Sequence, residues 1–170
     1  AVALAVQGVA KEANRVHVNT GAASTDLTGK QCSPVGIHWS FDTYSMAAGT
    51  GKALVKAGGK SWFFVTADYA FGHALERETA KFVEAGGGKV LGSVRHPLST
   101  SDFASFLLQA QASKAQVIGL ANAGADTINS IKQSAEFGIT AGGQKIAALL
   151  THFTDTHALS LKVAQGMVLT

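Results

Sequence analysis

Three short segments gather residue types suited to holding a small molecule: Asp68, Tyr69 and Phe71; Asn122, Ala123 and Gly124; Thr151, His152 and Phe153. A carboxylate can meet a cation, and aromatic rings can meet an apolar body. An amide and a hydroxyl can orient a polar group, and the start of a helix favours an anion. The same residues are also ordinary turn formers, so their value lies in being brought together.

Patterns for covalent chemistry are missing. Gly49-Thr50-Gly51-Lys52 contains a Gly-Lys pair, but Ala53 stands where a phosphate-binding loop needs Ser or Thr, and its first glycine is absent. Gly86-Gly87-Gly88 follows a predicted helix and precedes a predicted strand, the reverse of a dinucleotide fingerprint. There is no Gly-x-Ser-x-Gly elbow, and Cys32, the single cysteine, lies near Pro34 without a neighbouring base. Cys32 is expected to be structural, and it excludes an internal disulfide. His152 and His157 are five apart across a predicted loop, without the His-Glu-x-x-His spacing or clustered carboxylates of a metal centre. No catalytic residue, metal or cofactor is therefore expected. An enzyme would have to work with Asp68 paired to His152 or His73.

The segments must be positioned by the elements around them, and the hydrophobic pattern predicts those elements. A helix is expected over 1–12, a strand over 15–19, a small-residue loop over 20–25 and a strand over 36–41. Asp42 then caps a helix that stops at Gly58 and Gly59. The run Ser61-Trp62-Phe63-Phe64-Val65-Thr66 reads as a buried strand, followed by a helix ending at the three glycines. Strands over 89–94, 116–121, 145–150 and 166–170 alternate with helices capped at Ser101 or Asp102, over 126–137, and over 159–163. Apolar strands without a polar face, alternating with helices, imply a three-layer α/β/α fold around a parallel sheet. Ligands of such sheets sit beyond the carboxyl ends of the strands, where the three segments fall.

Composition agrees. In a chain of 170 residues, 46% are apolar and 15% charged, enough apolar surface for a core. The net charge of +3 is scattered, with no basic run and no interleaved aromatics, so nucleic acid is not an expected partner. No apolar stretch approaches the ~20 residues of a membrane span. Residues 1–10 lack a basic leader and read as mid-helix, so no signal peptide is expected within this chain.

Four segments in order, Ala22-Ala23-Ser24-Thr25-Asp26-Leu27-Thr28-Gly29, Asp68-Tyr69-Ala70-Phe71-Gly72-His73-Ala74-Leu75, Thr100-Ser101-Asp102-Phe103 and Gly166-Met167-Val168, resemble the branched-chain amino acid (Leu/Ile/Val-binding) type of ABC-transporter solute-binding proteins. The resemblance implies two α/β lobes closing on a solute, joined by a three-strand hinge. By it, residues 1–41 would be the end of the first lobe, 42–166 the second, and 167–170 a strand returning to the first. The chain would then be a fragment of a two-lobe protein.

The resemblance also implies that Ala23, Ser24 and Thr25 hold the solute's carboxylate through backbone N–H groups and a hydroxyl. Tyr69, Phe71, Asn122, Ala123, Thr151, His152 and Phe153 would line the second lobe. Members usually carry an acidic residue in the loop matching Thr151 to Phe153, where it meets an amino acid's ammonium. This chain has none there, which favours an aromatic or aliphatic acid without an amino group unless Asp68 substitutes. The implied partners are a small amino acid or aromatic carboxylate and a membrane permease, in the bacterial periplasm. A sensory or receptor domain of the same fold is the alternative.

Overall fold

A computed structural model describes residues 2–165 and 167–169. The chain begins with α1 (Val2–Glu12) and β1 (His17–Asn19), and β2 (Gly36–His38) pairs with β1 in parallel, Val18 opposite Ile37. Gln7 is the one buried residue of α1; its side-chain amide donates to the carbonyls of Leu27, at 3.0 Å, and Gln31, at 2.6 Å. The helix is thereby tied to the segment between the two strands.

From Asp42 onward the chain forms α2 (Thr43–Met46), one π-helical turn (Ala47–Gly51), α3 (Lys52–Lys56), β3 (Ser61–Ala67), α4 (Ala70–Ala85), β4 (Lys89–His96), α5 (Ala104–Ala112), β5 (Val117–Ala121), α6 (Ala125–Glu136), β6 (Lys145–Ala148), α7 (Phe153–Ala158), α8 (Leu161–Ala164) and β7 (Val168–Leu169). The strands form a parallel sheet in the order β4-β3-β5-β6-β7. Trp62, Phe64, Leu75 and Val83 belong to the core on one side of it, and Val65, Phe103, Leu107 and Ile118 to the core on the other. Helices therefore cover both faces, as the alternation of elements predicts. Among the described residues no helix is long and apolar enough to cross a membrane.

The structure corrects several expectations. β2 stops at His38 and β6 at Ala148, short of the predicted 41 and 150. β4 runs to His96, and it does have a polar side: Lys89, Ser93 and Arg95 are exposed, because the strand lies at the sheet edge. The predicted loop between His152 and His157 is helix α7, whose start is held by Asp155 accepting from the His152 N–H at 2.9 Å. Cys32, expected to be structural, is exposed. The predicted ends at Ala1, Gly166 and Thr170 lie outside the described residues.

Candidate functional site

Adjacency of β3, β5 and β6 sets the ends of these strands side by side, and the loops that follow them form one wall of a cleft. The opposite wall is the loop after β1. Buried Asn19 shapes that loop, its amide donating to the Ala22 carbonyl at 2.6 Å and its oxygen accepting from the Ala22 N–H at 3.0 Å. Ser24 then accepts from the Asp26 N–H at 3.3 Å and caps a single 3-10 turn, Thr25–Leu27.

Thr43, fully buried at the start of α2, fastens the loop from behind. Its N–H donates to the Ala23 carbonyl at 2.7 Å, and its hydroxyl accepts from the Thr25 N–H at 3.2 Å and donates to the Thr25 hydroxyl at 3.1 Å. Asp42 caps the same helix by accepting from the Ser45 N–H at 2.7 Å.

Across the cleft, Tyr69 is the residue from which α4 departs, and its ring lies 5.7 Å from that of Phe71, centroid to centroid. After β5, Gly124 adopts φ 58° and ψ −130°, a conformation that only glycine takes without strain, and so turns the chain sharply into α6. Ala22, Ala23, Ser24, Leu27, Tyr69, Phe71, Ala123 and Leu150 line a cleft of about 200 Å³, with Ala3 and Leu4 of α1 at its side. An apolar cavity of roughly 150 Å³ accommodates a benzene ring, so a body the size of one ring fits. Among the described residues, Tyr69 is the only titratable one in this lining.

Burial raises the pKa of Tyr69, and the charge of Asp126 raises it further. The phenol therefore stays a hydrogen-bond donor at neutral pH. Asp126 itself is buried in the first turn of α6; one carboxylate oxygen accepts from the Ser99 N–H at 3.2 Å, and the other has no partner among the described residues. Negative potential thus lies near the Tyr69 hydroxyl.

The other expected residues are placed differently. Asp68 is exposed and lies outside the lining, its carboxylate 2.7 Å from His73 and 3.7 Å from Arg95. His73, not His152, is thus its imidazole neighbour. Asn122 is wholly buried, accepting from the Thr127 hydroxyl at 2.8 Å, with its amide 3.3 Å from His96. Thr151 and His152 line an adjoining cleft of about 300 Å³ with Phe41, Ser45 and Met46, and Leu150 borders both clefts. Phe153 is 85% exposed. Thr25 is half-buried and turned to Thr43.

Sequence reasoning missed Leu4, Leu27, Thr43, Asp126 and Leu150. Asp126 carried a usable signal, an acidic residue in the first turn of a helix that follows a strand end. The others depend on contacts between distant segments.

Comparison with known proteins agrees with this architecture. The family model described as periplasmic binding protein matches residues 1–170. A Leu/Ile/Val-binding protein homolog of Brucella melitensis is 30% identical over 161 residues, covering 92% of this chain and 40% of the relative. A crystal structure of a periplasmic binding protein from Burkholderia mallei superposes with a TM-score of 0.94 at 59% identity, over 97% of this chain and 44% of that one. An ABC-transporter solute-binding protein from R. palustris, solved with 4-hydroxybenzoate, gives a TM-score of 0.77 at 30% identity, over 85% of this chain and 39% of that one. The chain thus spans less than half the length of each.

Proposed function

This chain belongs to the periplasmic binding protein family, and from that premise we propose that it forms part of the extracytoplasmic solute-binding component of an ABC transporter. Its solute is a small carboxylic acid lacking an amino group, aromatic or aliphatic, which the whole protein carries in the periplasm to a membrane permease. Residues 1–41 act as the end of one lobe, 42–166 as the second, and 167–170 as a hinge strand.

The observation that carries this reading is the cleft of about 200 Å³, apolar apart from Ser24 and the Tyr69 hydroxyl, with a small-residue loop facing two aromatic rings. The ring of an aromatic acid would pack on Tyr69, Phe71 and Leu150. Its carboxylate would meet the Ala23–Thr25 loop, away from the negative potential of Asp126. An α-amino acid would bring an ammonium group as well, and among the described residues no carboxylate lines this cleft to receive it. The R. palustris relative with 4-hydroxybenzoate supports the aromatic class.

A thermal-shift panel on the full-length protein tests this. A solute at about 100 times its dissociation constant adds roughly 2.7 kcal/mol of stability. Benzoate and 4-hydroxybenzoate are expected to raise the melting temperature, and leucine, isoleucine and valine to leave it unchanged. The opposite pattern would overturn the assignment of the solute class.

A further inference from the structure

Of the three hydrogen bonds between Thr43 and the Ala23–Thr25 segment, one runs from the Thr43 N–H to the Ala23 carbonyl, and the other two form a directed chain through the Thr43 hydroxyl. The Thr25 N–H donates to the Thr43 hydroxyl, and the Thr43 hydroxyl donates to the Thr25 hydroxyl. Two features make this more than a loop tether. Thr43 is fully buried, so water does not compete for its hydroxyl, and each donor in such a chain is polarised by the one before it. The chain also ends at Thr25, the residue that follows cleft-lining Ser24.

We infer that Thr43 is a positioning residue for the solute's carboxylate. Its hydroxyl holds Thr25 at both the N–H and the hydroxyl, and its own N–H holds the Ala23 carbonyl, so the cleft-lining Ala23–Ser24 stretch is fixed with its donors toward the anion. Thr43 itself does not touch the solute. The inference rests on the reading that the Ala23–Thr25 loop receives the carboxylate. It predicts a signature that a purely structural role lacks, because a hydrogen bond to a charged acceptor is roughly twice as strong as one to a neutral acceptor. Loss of the alignment should therefore cost an anionic solute more than its neutral amide.

The test is calorimetric titration of the full-length protein, as wild type, Thr43→Val and Thr43→Ser. The probes are 4-hydroxybenzoate with 4-hydroxybenzamide, and leucine with leucinamide. Thr43→Val is expected to weaken the bound carboxylate about tenfold while changing the amide less than about twofold. Thr43→Ser, which keeps the hydroxyl, should restore wild-type affinity. If Thr43→Val does not fold, Thr25→Val cuts the chain at its other end and should give the same selective loss. Equal losses for carboxylate and amide, no loss, or failure of Thr43→Ser to restore binding each overturn the inference alone. A folded wild type that binds none of the four probes overturns the carboxylate reading and takes the inference with it.

Discussion

Gly72 lies so close to Ala67 that a Cβ built on it would stand 2.1 Å from the Ala67 carbonyl oxygen, and 3.0 Å from that of Ala121. The start of α4 is thereby packed against the ends of β3 and β5, and Tyr69 and Phe71 flank this contact on the cleft side. Both obstacles are backbone atoms, so a side chain at position 72 must displace the helix.

Gly72→Ala is accordingly expected to destabilise the protein by at least the ~1–3 kcal/mol typical of overpacking. Urea unfolding would show it as a lower midpoint, and solute affinity should fall with it, because the displaced helix carries both rings. A variant as stable as wild type would contradict the contact.

Tyr69 gives a pH prediction. Burial first, and the charge of Asp126 second, raise its pKa above the ordinary 10.0, so the folded protein holds the phenolic proton more tightly than the unfolded chain does. The resulting contribution to stability is intact below the unfolded value and is lost as the pH rises through the folded one. A spectrophotometric titration of wild type minus Tyr69→Phe should place this phenol above the usual tyrosine range. Asp126→Asn should lower its midpoint only in part, since burial is the larger cause.

The buried chain from Thr127 through Asn122 to His96 predicts a stability effect. His96 Nδ1 lies 2.8 Å from the Pro97 carbonyl and so carries the proton, which leaves Nε2 to accept from the Asn122 amide. Asn122→Ala removes partners from two buried groups and should cost about 1–3 kcal/mol in chemical denaturation. An unchanged denaturation midpoint would show that the network contributes nothing net.

Val18 and Ile37 pair across β1 and β2 with both side chains exposed, and Trp39 beside them is 76% exposed. Expressed as these 170 residues alone, the protein should self-associate through this apolar face. Sedimentation should show species heavier than a monomer, and Val18→Lys should reduce them. A clean monomer would refute this.

The parallel sheet was readable because its central strands β3 and β5 are largely buried: Trp62, Phe64, Val117 and Leu120 stand in apolar runs that no amphipathic helix would need. Helix ends were readable from Gly58 and Gly87, whose positive φ follows from local geometry. The π turn at Ala47–Gly51 was not, because it arises where Gly51 packs on Thr79 and Phe82, about thirty residues away. The site divides in the same manner. Ala23, Ser24, Tyr69, Phe71 and Ala123 follow from position at loops and strand ends, and the structure brings them together. Thr43, Leu4 and Leu150 reach their places through contacts between distant segments, which composition and periodicity do not encode.

Leu150 stands between a compartment that fits one ring and a second compartment walled by Phe41 and His152. A partition made of one branched side chain makes solute length an easily altered trait. On the proposed reading, a smaller residue there would join the two spaces into a trench for longer acids without altering the Ala23–Thr25 loop. On that reading, preference for the charged end and tolerance for the tail can diverge independently.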